Sequence, residues 1–121
     1  MPTAADFDSR ARGYADRARR LRQLARDIRA SSAPLASAYD PLSARHLEGV
    51  WISVAAERSR DELRRMRQRC RAAAEESTAF AAALDRAAAG FETDAREASR
   101  DAADARAAEA AERSREGEAD G

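Results

Sequence analysis

The chain has 121 residues, which is the length of a single domain. Its 22 basic residues are all arginine and balance 22 acidic residues, so the net charge of zero indicates no class of partner. Alanine, arginine and acidic residues dominate while β-branched residues are few, and this composition favours long helices and excludes a substantial sheet.

The sequence shows no leader peptide and no membrane-spanning stretch. Residues 1–12 contain Asp6 and Asp8 and no apolar run, and no segment approaches the roughly 18 apolar residues that span a bilayer. The only cysteine, Cys70, cannot form an intrachain disulfide. We therefore expect a protein of the cytoplasm, or one that is exported without a cleaved signal peptide.

The first helix is predicted over residues 4–30. Thr3 followed by Asp6 is a capping-box pattern. Apolar residues then recur in steps of four and three, which places them on one seam of a helix, and Leu24 widens that stripe. A half-apolar helix of this kind must pack against another element. The seam consists of Phe7, Ala11, Tyr14, Ala18, Leu21, Ala25 and Ile28.

Residues 31–52 are predicted to form a broken connection between two helices. Pro34 cannot donate a backbone hydrogen bond, so the first helix is expected either to end or to kink there. Asp40 followed by Pro41 is a second helix-start signal, an N-cap with proline at the first helical position. The connection therefore has room for one short helix.

A second helix is predicted over residues 53–91, with Ser53 as its N-cap. Its seam also advances in steps of three and four, with small residues in the middle and large residues towards both ends. This taper would let a partner helix approach closely at Ala73 and Ser77. The seam consists of Ala56, Ser59, Leu63, Met66, Cys70, Ala73, Ser77, Phe80, Leu84, Ala87 and Phe91.

The last part of the chain, residues 92–121, has a different composition. It contains ten acidic residues and five arginines, a net charge of −5, which leaves +5 on residues 1–91. Asp94 and Asp101 occupy positions where the seam would require apolar residues. We expect a solvated, alanine-rich helical extension that becomes disordered from Gly117.

Two seams separated by a broken connection predict an all-α antiparallel two-helix hairpin over residues 1–91, with a long second helix. Two helices alone bury little surface, and small scaffolds usually need a further partner. We therefore predict that two hairpins pair into a four-helix bundle dimer.

The sequence contains no grouping of residues that is typical of a catalytic or metal site. His46 is the only histidine, and no cysteine or carboxylate pair stands near it at metal-ligand spacing. Cys70 lies on the second seam, where a buried and unreactive thiol is the usual arrangement, although a disulfide between two copies is open to it. No glycine-rich phosphate loop occurs. We expect no enzyme activity, no cofactor and no metal.

An arginine cluster on the second helix allows nucleic-acid binding as a weaker alternative. Seven arginines lie within four helical turns and could contact phosphates. Acidic residues interrupt the cluster and no aromatic residue lies within it, which argues against this function. The cluster consists of Arg58, Arg60, Arg64, Arg65, Arg67, Arg69 and Arg71.

The segment Val50-Trp51-Ile52-Ser53-Val54-Ala55-Ala56, followed by Leu63 and an alanine-rich helix ending near Phe91, resembles the WXG family of early-secreted-antigen-like helical hairpins. These proteins are associated with the type VII secretion systems of actinobacteria and related bacteria. The helix from Phe7 to Ile28 would be the family's first helix, Trp51 its tryptophan, and Ser53 would replace its glycine.

The resemblance implies that this chain pairs with itself or with a second WXG-like hairpin. It also implies a role as a secreted substrate or as the dimer partner of one. The family's export signal, a tyrosine with an acidic residue four positions later, is not matched, because Phe91 is followed by Asp94 and Ala95. Export would then depend on a partner, and the alternative is a cytoplasmic adaptor or chaperone for a larger toxin-like protein.

Overall fold

The computed structural model describes residues 1–43 and 54–120, which form an all-helical hairpin. Helix α1 spans Ala4–Ala36, 33 residues, and helix α2 spans Val54–Asp120, 67 residues. No strand occurs within the described ranges. The predicted two-helix hairpin is therefore confirmed, whereas its pairing into a four-helix bundle stays a prediction.

Helix α1 begins with the predicted capping box. The Thr3 amide donates to Oδ2 of Asp6 at 2.8 Å, and the Asp6 amide donates to Oγ1 of Thr3 at 3.2 Å. Two N–H groups that lack partners within the helix are thereby satisfied. Hydrogen bonds with Thr3 lower the pKa of the Asp6 carboxyl. The bond from the Thr3 backbone has the larger effect, and the bond with the Thr3 side chain has the smaller one.

The predicted end of the first helix at residue 30 is wrong, because α1 continues through Pro34 and ends at Ala36. Pro34 lies in the last turn of α1, so its missing N–H removes only one helical hydrogen bond close to the end of the helix. The helix tolerates it there because few hydrogen bonds remain to be formed after it. A turn with a hydrogen bond from the Asp40 amide to the Ser37 carbonyl, 3.2 Å long, follows the helix. Residues 40–43 are helical, in agreement with the start signal at Asp40 and Pro41.

Helix α2 continues past Phe91 without interruption, as the predicted helical extension requires. The acidic extension is helical throughout, and residues 117–120, which were expected to be disordered, also belong to the helix. Alanine, glutamate and arginine are strong helix formers, which accounts for this continuation. Every residue from Arg106 to Ala119 is exposed. The predicted N-cap Ser53 lies outside the described residues, as do His46 and Trp51.

The chain divides into two compact units, each containing part of both helices. Unit 1 consists of Met1–Arg22 with Asp85–Gly121, and unit 2 consists of Gln23–Leu84. In unit 1, Asp8 contacts Arg106 while Arg22 contacts Asp85. Later residues of α1 thus meet earlier residues of α2, so the helices of this unit are antiparallel.

Unit 2 has the same helix directions. Ser32 and Ala36 line one groove together with Arg71 and Ala82, and Asp40 contacts Arg67, which lies earlier in α2. Neither helix within the described ranges is long and apolar enough to cross a membrane.

Alanine forms the buried core of both units. Ser32 is the one buried polar residue among those described, and no large side chain in the described ranges is fully buried. Such a core requires the helices to pack closely, since only small side chains separate them. The buried alanines are Ala4, Ala18, Ala25, Ala56, Ala74, Ala81, Ala88, Ala98 and Ala102.

Candidate helix-pairing interface

Helix α1 presents a continuous heptad repeat to α2, with positions named a to g in the usual way. Small residues occupy position a and large residues position d. Ala18 and Ala25 at position a are 3% and 0% exposed, whereas the large d residues are half-buried. Position a holds Ala4, Ala11, Ala18, Ala25 and Ser32, and position d holds Phe7, Tyr14, Leu21, Ile28 and Leu35.

Ser32 occupies an alanine position without leaving an unsatisfied polar group. Its side-chain hydroxyl donates to the Ile28 carbonyl at 2.7 Å. A buried hydroxyl costs little free energy when it is hydrogen-bonded in this way. The alanine repeat can therefore include a serine, because both side chains are small.

Helix α2 carries the matching repeat over most of its length. Ala81, Ala88 and Ala102 at position a are fully buried. Packing of large residues on one helix against small residues on the other fills the space between them without voids. Position a holds Arg60, Arg67, Ala74, Ala81, Ala88, Ala95 and Ala102, and position d holds Ala56, Leu63, Cys70, Ser77, Leu84, Phe91, Ala98 and Ala105.

The sequence-predicted seam of α2 contains this d position but pairs it with position g instead of position a. Each g residue lies one place before an a residue, and the large g residues are exposed: Met66 by 43% and Phe80 by 56%. Helix α2 therefore has two seams that share position d. The a/d seam faces α1, and the d/g seam, which the sequence pattern had singled out, stays largely open. Position g holds Ser59, Met66, Ala73, Phe80 and Ala87.

Leu24 of α1 is also at position g. It is 46% exposed, so it does not widen the buried stripe as predicted. The buried stripe of α1 is restricted to positions a and d because a second helix contacts only a narrow strip when the residues between them are small.

In unit 1, charged residues at position e join the helices beside the alanines. Nε of Arg22 donates to Glu92 at 2.6 Å, and its Nη1 lies 3.5 Å from Asp85. Asp8 pairs with Arg106. Two of these carboxylates, on Asp85 and Glu92, lie one heptad apart and share one guanidinium, which fixes the antiparallel register of this unit.

In unit 1, aromatic residues at position d of the two helices also pack against each other. The rings of Tyr14 and Phe91 have centroids 6.1 Å apart. The guanidinium carbon of Arg17 lies 5.7 Å from the Phe91 centroid, and that of Arg10 lies 5.4 Å from the Phe7 centroid. Arg10 and Arg17 are g residues of α1, so charged side chains cover part of these rings in unit 1.

In unit 2, the residues just after α1 are held by an ion pair. Nη2 of Arg67 lies 2.9 Å from Oδ1 of Asp40, and Nη2 of Arg71 lies 3.6 Å from the same oxygen. Two members of the predicted arginine cluster thus have an acidic partner within the chain, and Arg64 pairs with Asp61. The cluster is less available to phosphates than its sequence indicates.

The exposed large apolar residues beyond the N-terminus, among those that the structure describes, all belong to unit 2. We name one continuous set of them and their neighbours the d/g ridge. Its members keep the three–four step along α2 and are half-buried or exposed. The d/g ridge consists of Leu63, Met66, Cys70, Ala73, Ser77, Phe80 and Leu84.

Within residues 1–43 and 54–120, no group of three or more histidine, cysteine or acidic residues is placed to hold a metal ion. Cys70 is a half-buried free thiol on the d/g ridge. Comparisons of the chain with protein families, curated proteins and solved structures gave no match.

Proposed function

We propose that this chain is a non-enzymatic helical interaction module that pairs with another helical hairpin. By its resemblance to the WXG family, it would act as a type VII secretion substrate or as the dimer partner of one. The observation that carries the proposal is the d/g ridge: unit 2 buries alanine inside and leaves Met66 and Phe80 exposed on a seam of heptad spacing.

Unit 2 leaves large apolar side chains exposed on the ridge, whereas the side chains that it buries are small. The fully buried residues of unit 2 are small, with Ala25 and Ala81 at 0% exposure. Full burial of a phenylalanine or methionine side chain stabilises by about 1.5–3 kcal/mol, and the hairpin leaves much of this contribution unused at Phe80 and Met66. A partner helix on the d/g ridge would supply it.

The kind of partner follows from the spacing of the ridge. Residues in steps of three and four match a helix that lies along α2, as in helix-bundle packing. The candidate partners are a second copy, another WXG-like hairpin, or a helical segment of a larger secreted or toxin-like protein. The protein would fold in the cytoplasm, and its export would depend on such a partner.

The proposal is tested with the full chain and with a variant that changes only the exposed ridge, Met66→Gln with Phe80→Gln. Proteins that copurify with the chain are identified from the native host, and binding of each is compared between the two chains. Loss of helical partners from the variant is expected. Equal binding by both chains would refute the proposal that the d/g ridge is the surface that binds the partner.

The secretion role has its own measurement. The extracellular amount of the chain is compared between a native host and one that lacks the type VII secretion ATPase. A lower extracellular amount in the knockout is expected. An unchanged amount, together with a stable complex that never leaves the cell, would replace export with the role of a cytoplasmic adaptor.

A further inference from the structure

We infer that a groove on unit 1 binds an acidic helix of a partner protein. The groove lies between α1 and α2, on the side where their e positions face each other, and we name it the e-face groove. It is separate from the d/g ridge, which belongs to unit 2, so the inference goes beyond the proposed function. The floor of the e-face groove consists of Ala11, Ala15, Ala18 and Ala95.

The e-face groove is a gap in the row of ion pairs at position e. Midway along this row, position e holds Ala15 on α1 and Ser99 on α2, and both residues line the groove. Two side chains of this size cannot bridge the helices, so space remains between the ion pairs that stand one heptad away on either side. These ion pairs are Asp8–Arg106 and Arg22–Glu92.

The dimensions of the gap fit a helix. Asp8 and Arg22 are 14 residues apart on α1. The gap is therefore about 21 Å long at about 1.5 Å rise per residue, which corresponds to about four helical turns. The small side chains of the floor allow a third helix to approach closely between the two. A helix also satisfies its own backbone hydrogen bonds, whereas an extended segment would need backbone partners that alanine side chains do not offer.

The rim of the e-face groove is positively charged. Arg12 on α1 and Arg96 and Arg100 on α2 line it, and none of the three forms an ion pair within the part of the chain that the structure describes. All three side chains are exposed, and Arg96 donates to the hydroxyl of Thr93 at 3.2 Å. Guanidinium groups that are clustered without a counter-charge favour an anionic partner.

This positive charge is local, which argues for a short acidic segment. Unit 1 as a whole has 12 arginines and 14 acidic residues, a net charge of −2. Glu92 also lines the groove, but Arg22 engages its carboxylate. A long polyanion such as nucleic acid would be repelled by the rest of the unit, and among the described residues no aromatic side chain lines the groove to stack on a base.

Two synthetic peptides serve as probes for the full-length chain. The first is a helix of about 18 residues, or five turns, with alanine along one face and glutamate on both sides of that face. The second carries glutamine in place of every glutamate. Both residues are good helix formers, so the peptides differ mainly in charge. Fluorescence anisotropy of labelled peptide gives the dissociation constants, and the glutamate peptide should bind more tightly, with an affinity that falls as the salt concentration rises.

Substitution of the rim tests the role of its charges. The triple variant Arg12→Gln, Arg96→Gln and Arg100→Gln should bind the glutamate peptide about tenfold or more weakly than the wild type. A matched control changes three exposed arginines of unit 1 that do not line the groove, and it should bind as the wild type does. The control substitutions are Arg20→Gln, Arg113→Gln and Arg115→Gln.

Closure of the gap tests the shape of the groove with the rim intact. Ala15→Arg combined with Ser99→Glu places an ion pair at the missing position of the row and leaves the net charge unchanged. Circular dichroism should show a folded hairpin, and binding of the glutamate peptide should be lost because the new side chains occupy the groove.

Equal binding of the two peptides, or equal binding by the rim variant and its control, would overturn the inference. A wild-type chain that binds neither peptide would do the same. Inorganic phosphate that displaces the peptide and still binds the chain with the closed gap would assign the rim to a small anion instead of a helix. Tighter binding of a single-stranded oligonucleotide would make nucleic acid the ligand, and self-association that the closed gap abolishes would make a second copy the occupant.

Discussion

Tyr14 of α1 and Phe91 of α2 stack their rings with centroids 6.1 Å apart and planes 23° from parallel. Arg17 lies over both rings, 6.0 Å from the Tyr14 centroid and 5.7 Å from that of Phe91. In a hairpin with an alanine core, these are the largest side chains that join the two helices of unit 1. The pair should therefore contribute to stability beyond the area that each ring buries.

A double-mutant cycle tests this pair. Tyr14→Ala and Phe91→Ala should each lower the free energy of unfolding, and their coupling should be about 0.5–1.5 kcal/mol, the usual range for stacked aromatic residues. The measurement is urea unfolding followed by circular dichroism. Phe7→Ala combined with Phe91→Ala is the control and should be additive, since no ring contact joins Phe7 to Phe91. Additivity of the first pair would contradict the stacking.

Enlargement of a core alanine should be destabilising. Ala81 is 0% exposed at position a, so Ala81→Leu should lower the free energy of unfolding by about 1–3 kcal/mol through overpacking. The matched control is Ala72→Leu, because Ala72 is exposed on the same helix and the change in helix propensity is identical. Equal stability of the two variants would contradict close helix packing at position a.

The two seams of α2 should respond differently to truncation. Leu63 at position d is half-buried, so Leu63→Ala should cost about 1–2.5 kcal/mol of unfolding free energy. Met66 is 43% exposed, and Met66→Ala should change the stability of the monomer by no more than about 0.5 kcal/mol. The unfolding must be measured at concentrations low enough to exclude self-association. A larger cost at Met66 than at Leu63 would reverse the assignment of the seams.

Two glycines within the helices offer a stabilising change. A Cβ atom added at Gly13 or Gly90 would meet no other atom within 4 Å. Gly13→Ala and Gly90→Ala should therefore each raise the free energy of unfolding by about 0.5–1 kcal/mol, because alanine is the better helix former. Thermal unfolding measures the gain. A loss of stability at either position would show that the site is occupied when the protein is in solution.

The capping box should weaken in acid. The pKa of Asp6 is lowered from its ordinary value of 3.8 in the folded chain, so protons bind the unfolded chain more readily. The contribution of Asp6 to stability is therefore complete above that ordinary value and is lost as the pH falls through the lower folded value. Unfolding free energies of the wild type and Asp6→Asn, measured from pH 6 to pH 2, should converge on the acid side. Parallel curves would contradict the shift.

The sequence was sufficient to predict the hairpin, the capping box of Thr3 and Asp6, and the heptad stripe of α1. In α1 the most apolar residues also occupy the buried positions, so periodicity identifies them. The end of α1 could not be predicted because the cost of Pro34 depends on its distance from the end of the helix, which hydropathy does not reveal.

In α2 the hydropathy pattern predicted the correct heptad spacing. Of the two seams, however, it selected the d/g seam, which is largely exposed, and not the a/d seam, which faces α1. Met66 and Phe80 are more apolar than Arg67 and Ala81, the residues that follow them, so a hydropathy pattern selects position g. The packing between the helices selects position a instead, because small size decides there. The recurrence of alanine every seventh residue from Ala74 was the signal that could have located the buried seam.

The alanine core also has a thermodynamic consequence for the isolated hairpin. The heat-capacity change of unfolding reflects the apolar area that becomes exposed, and buried alanines contribute little of it. The isolated hairpin should therefore have a smaller heat-capacity increment per residue than a globular domain of equal length, and its stability should vary little with temperature. Calorimetry of the associated protein should show the larger increment, because the phenylalanine and methionine side chains are transferred out of water only when a partner is bound.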